Sequence, residues 1–160
     1  MRDVFLVLHV ATGTMALTIG PLALLFARQQ RHGAVQVRGA YHWIVLVVCA
    51  TAAVVSILAW TRLWWLVPIG VLSYGLALVG YLGSRHDWPL WVRAHAWGGS
   101  YIALVTALLV VSAREVSPVL EAIAWVLPAA IGVPLIVRSH TGRHGVNAGE
   151  ASPSGAVGGT

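Results

Sequence analysis

Seven histidines stand in a chain with one cysteine and five acidic residues, so imidazole is the group with which this protein has most scope for chemistry. His42 and His95 each fall where a long apolar run begins, and so at similar depth. Two neutral imidazoles on facing helices can serve as the axial ligands of a haem. Gly98 and Gly99, one turn beyond His95, leave room for a macrocycle. The plainer reading is that both imidazoles lie at an interface and bind water, phosphate or a loop carbonyl. No cofactor is certain from this pattern; haem b is the alternative it allows. His9 and Glu121 form a second constellation, with Tyr101 as a further candidate for a ligand or a proton. An unpaired ionisable group inside a membrane costs about 2.5–3.5 kcal/mol or more, so each such group is a functional candidate. Paired, His9 and Glu121 could relay a proton or orient a small ligand. The plainer reading is that Glu121, close to a helix start, simply reaches water. His9 falls more than about 10 Å in depth from the level of His42 and His95, at about 1.5 Å per residue, so it shares no metal with them. His140 and His144 lie among glycines and receive no role. Cys49 sits in an apolar run, where burial disfavours the thiolate, and is a packing residue.

No glycine-rich phosphate loop, paired catalytic carboxylates, nucleophile elbow or His-Glu-x-x-His helix occurs. The balance favours a non-enzymatic protein that binds a ligand or partner. A haem-binding electron carrier is the alternative. A proton-coupled carrier is weaker, because five helices show no inverted repeat.

The elements that position these residues are membrane helices. The chain is 58% hydrophobic and 9% charged, against roughly 25% charged residues in soluble domains. That composition suits lipid outside the fold and leaves little to cover a water-facing surface. We expect an all-α, integral membrane bundle of five transmembrane helices over residues 1–138. The helices are expected at about 4–26, 41–61, 63–83, 94–113 and 119–137. Short loops join them, the longest over 28–40, and a disordered tail occupies 139–160. Tryptophan and tyrosine flank the runs, as interfacial anchors do. Small residues draw packing stripes: Gly13 and Gly20 on the first helix, Gly80 on the third, Gly98 and Gly99 on the fourth.

All ten basic residues are arginine, and the net charge is +5. Such a balance can signal nucleic acid, but here the arginines lie between apolar runs and set orientation. Seven fall on one side of the expected topology and three on the other. The rule that cytoplasmic loops are basic then puts the N-terminus outside and the tail in the cytoplasm of a cell-membrane protein. The expected partners are the lipid bilayer and either other membrane subunits or further copies of the chain; no nucleic acid is expected.

Leu8-His9-Val-Ala-Thr12-Gly13 through Gly20-Pro21, Gly39-Ala-Tyr41-His42-Trp43, Arg93-Ala-His95, Gly98-Gly99-Ser100-Tyr101 and Trp125-Val-Leu-Pro128 carry a resemblance. In that order they resemble an actinobacterial-type family of small bacterial multi-pass membrane proteins of unknown function. The similarity covers most of 5–138. Many wider-family members carry a His-Arg pair ahead of the loop glycine; here Val37-Arg38-Gly39 lacks that histidine. The resemblance implies a multi-helix membrane domain and lends no catalytic residues.

Overall fold

Each of the five apolar runs forms one helix, and each helix is long enough to cross a membrane. The computed structural model describes residues 2–25 and 32–141. Among these residues there is no strand. The elements are α1 (Arg2–Leu25), α2 (His32–Leu58), the single turn α3 (Trp60–Leu63), α4 (Leu66–Arg85), α5 (Leu90–Arg114) and α6 (Pro118–Thr141). The protein is an all-α, multi-pass membrane bundle.

α1, α2, α4 and α5 pack in a ring in that order, and α6 lies outside it, packed chiefly on α5. The burial pattern inverts that of a soluble protein. Large apolar side chains point outward: Val4 is 70% exposed and Val71 69%. Small or hydroxyl-bearing side chains fill the interior, among them Ala16, Ala77, Ser56, Ser73 and Ser100. Lipid gives no reward for burying leucine, so close backbone approach and satisfied polar groups select the inner face.

The α5–α6 contact shows the rule at work. A Cβ on Gly98 would overlap Ile136, and one on Gly132 would lie 2.5 Å from Ile102 Cδ1. Each helix thus supplies a glycine socket for an isoleucine of the other.

The ends of the bundle are fixed by short turns. Arg62 pairs with Glu115, and Arg114 Nη1 donates to the Arg62 carbonyl at 3.0 Å. These contacts tie α3 to the α5–α6 turn and place both at one end. Both side chains of the ion pair are largely exposed, so it marks register more than it adds stability. Ser117 caps α6, accepting from the Val119 N–H at 3.2 Å, and Pro118 opens the helix, where its missing N–H costs nothing.

The α4–α5 turn occupies the opposite end. Trp88 N–H donates to the Gly83 carbonyl at 2.9 Å, and Asp87 has φ 52°. This is a left-handed helix stop of the kind usually made by glycine, with aspartate standing in. Asp87→Val is expected to cost about 1–2 kcal/mol, the left-handed penalty of a branched side chain, while Asp87→Asn is tolerated. Thermal unfolding in detergent reads the difference; equal stability of the two variants would contradict the account.

Three boundaries differ from the sequence expectation by four residues or more. α2 begins at His32, so the expected loop over 28–40 is mostly helix. Its buried face runs unbroken through Ala34, Arg38, Tyr41, Val45, Val48 and Ala52, a helical period that outweighs Gly33 and Gly39. His42 is therefore well inside a helix and not at its start. α5 begins at Leu90, directly after Pro89, which takes Arg93 and His95 into its first two turns. α6 continues to Thr141, past the expected end at 137, and the rest of the expected tail lies outside the described residues.

Candidate functional site

α1 and α4 face each other across the ring, and small residues on their inner faces leave a gap between them. The result is a cavity of about 320 Å³ in the half of the bundle nearer α3. Its walls include His9 and Gly13 of α1, Cys49 of α2, Gly70 and Ser73 of α4 and Ala107 of α5. A Cβ at Gly13 would meet nothing within 4 Å, and one at Gly70 would reach only Cys49 at 3.9 Å. Gly13, expected to pack against a helix, instead opens space. Its neighbour across the ring is another glycine-bearing helix, so no side chain fills the gap.

His9 is the cavity's one ionisable side chain apart from Cys49. Its Nδ1 lies 3.3 Å from the Val48 carbonyl and 3.1 Å from Thr51 Oγ1. Thr51 already gives its hydroxyl hydrogen to the carbonyl of Val47 or Val48, at 2.8 and 2.9 Å. Both neighbours of Nδ1 are thus acceptors, and the ring meets them by carrying its hydrogen on Nδ1. The neutral ring then keeps its lone pair on Nε2. A wall of this cavity consequently carries an oriented hydrogen-bond acceptor.

Polar groups gather again toward the middle of the bundle. Ser73 Oγ donates to the Ser100 carbonyl at 3.2 Å. The Tyr41 hydroxyl lies beside Ser100, yet Tyr41 Oη and Ser100 Oγ are both buried without a hydrogen-bond partner. Cys49 adjoins Ser73 and the Tyr74 backbone. Because Ser73 and Cys49 line the cavity, the unpartnered hydroxyls stand just beyond its inner wall. Buried hydroxyls without partners carry a desolvation cost of about 1–3 kcal/mol each, relieved by a water or a ligand group.

The other expected residues are distributed as follows. His42 stacks on Tyr81 of α4, ring centres 4.6 Å apart and planes at 10°, and is buried. His95 is exposed, and its Nδ1 lies 2.7 Å from the Trp91 carbonyl. The two imidazoles thus have different surroundings, one buried against α4 and one exposed. Glu121 occupies the first turn of α6, where the helix dipole favours an acid. It is on the outlying helix, whereas His9 hydrogen-bonds α2, so the structure does not bring that pair together. Tyr101 joins α5 to α1: its ring covers Gly20, and its hydroxyl donates to the Leu17 carbonyl at 3.4 Å. Gly80 receives the Trp97 ring and Gly99 the Leu76 side chain. His140 carries no described side chain, and His144 lies outside the described residues. Among the described residues no three His, Cys, Asp or Glu side chains gather as a metal site.

Sequence reasoning missed Tyr41, Ser100 and Thr51 as site residues. Tyr41 carries the aromatic signature of an interface, and only the unforeseen extension of α2 places it in the core. Thr51 had a signal: it lies on the same stripe as Val48 and Ala52.

Comparison with models of known protein families, with curated proteins and with solved structures returns no match.

Proposed function

We propose that this membrane protein is a non-enzymatic binder of a small, largely apolar molecule that presents a hydroxyl donor, held in the cavity between α1, α2, α4 and α5. The observation that carries the reading is the His9 ring, oriented by Val48 and Thr51 so that Nε2 is left to accept a hydrogen bond at a largely apolar wall. Ligand sites generally combine an apolar lining with a few placed polar groups, and the cavity volume falls at the small end of their range. The apolar surround strengthens such a bond, because water competes poorly there. A haem between His42 and His95 draws no support from their placement, and a His9–Glu121 proton relay draws none from theirs. An outside N-terminus, and kinship with the small bacterial membrane proteins that the motifs resemble, are compatible with the reading.

The test compares 4-hexylphenol with hexylbenzene by calorimetry on the detergent-solubilised chain. The phenol is expected to bind about tenfold more tightly, equivalent to about 1.4 kcal/mol, and His9→Leu should erase that preference. Equal affinity of the two probes for the unsubstituted protein, or binding of neither, overturns the proposal.

A further inference from the structure

The cavity between α1, α2, α4 and α5 is not walled equally on all sides. Of the four junctions in the ring, the one between α1 and α5 is the thinnest. These helices run antiparallel and approach closely at Gly20, which the Tyr101 ring covers. The Tyr101 hydroxyl pins the same level by donating to the Leu17 carbonyl at 3.4 Å. Two turns nearer α3, Gly13 faces the cavity, and a Cβ on it would meet nothing within 4 Å.

The residues around the cavity divide in the same way. Every lining residue supplied by α2 and α4 is turned away from the outer surface. On α1 and α5, by contrast, Leu6, Val10, Thr14, Leu108 and Val111 line the cavity and are exposed outside the bundle as well. Val10 is 58% and Leu108 50% exposed. A side chain that borders an interior space and also shows on the surface marks where that space opens. The opening is therefore a slot between α1 and α5.

The slot faces hydrocarbon. Val10 and Leu108 each stand six residues inside the ends of their spans, Val4 and Arg114, which is about 9 Å at about 1.5 Å per residue. Its edges are apolar. The one hydroxyl among them, that of Thr14, is donated to the Val10 carbonyl at 2.9 Å. A volume of about 320 Å³ is at the small end of ligand pockets, enough for the head of a lipid and not for the whole of one.

We propose that the occupant is a membrane-dissolved lipid with a hydroxyl head, such as a long-chain phenol or alcohol. Its head lies in the cavity against His9, and its chain passes out between α1 and α5 into the bilayer. The inference rests on the binding function proposed above and adds the class of ligand and its route.

The test uses the full chain in lipid nanodiscs, with affinities referred to the probe concentration in the lipid. Two pairs are compared: 4-hexylphenol with hexylbenzene, and 4-dodecylphenol with dodecylbenzene. Taking the ratio within a pair cancels the partitioning of the chain. The phenol is expected to be preferred about tenfold in both pairs. A preference in the hexyl pair that vanishes in the dodecyl pair overturns the slot and leaves the cavity reading standing; no preference in either pair removes both. The route is read with a 4-dodecylphenol that carries a diazirine at mid-chain. After photolysis, label displaced by excess 4-hexylphenol is expected on α1 near Val10 and Thr14 or on α5 near Leu108 and Val111. Displaceable label confined to α2 and α4, or no displaceable label, overturns the route.

Discussion

Gly80→Ala is expected to destabilise the bundle, and to do so by less in a chain whose Trp97 is already shortened. An alanine Cβ at position 80 would lie 2.8 Å from Trp97 Cδ2 and Cε2 and 3.1 Å from Cγ. These are atoms near the root of a rigid ring, so rotation about a distal bond cannot relieve the overlap. Nor can the ring retreat freely. It is fully buried, meets Tyr41 edge-on, and its Nε1 donates to Ser84 Oγ at 3.4 Å. Overpacking of this kind costs about 1–3 kcal/mol. The gain in helix propensity from Gly to Ala, up to about 1 kcal/mol, offsets only part of it. Trp97→Leu alone leaves a hole and should cost about 3 kcal/mol. Combined with Gly80→Ala, the hole and the overlap cancel in part, giving a coupling of about 1–2 kcal/mol. Unfolding titrations on the four proteins measure it. Strict additivity would mean that the ring does not rest on Gly80.

Gly13→Leu is expected to abolish binding of 4-hexylphenol, by about a hundredfold or more, without unfolding the chain. Position 13 faces the cavity with nothing within 4 Å of a Cβ, so the new side chain takes the space that a ligand would use. It also replaces a helix-interior glycine by a good helix former, which favours the folded state. Gly75→Leu is the matched control. Position 75 is equally open, yet it is not part of the cavity wall, and binding there should be unchanged. Phenol affinity retained in Gly13→Leu would place the ligand elsewhere.

Much of this architecture is legible in the residues. Apolar runs between aromatic and arginine boundaries mark the five spans, because hydropathy and length alone decide what can cross lipid. The small-residue stripes point to Gly20, Gly80 and Gly98, and each does accommodate a neighbouring side chain. What a glycine accommodates is less legible: Gly13 has the same local pattern as Gly20, yet one opens a cavity and the other holds Tyr101. That difference depends on which helices are neighbours in the ring and which are opposed, and a linear pattern does not encode it. The histidines show a second limit. Reading 28–40 as a loop puts His42 at a surface; continuing the helix through it buries the same ring against Tyr81. Local glycines and arginines argue for a loop, and only the tertiary partners of Ala34 and Arg38 decide for a helix.

The outlying position of α6 bears on biosynthesis. Four spans complete a closed ring among themselves, so the sockets at Gly98 and Gly132 hold a span that the ring does not need for its closure. During translation the ring can form while the last span is still in the ribosome and translocon.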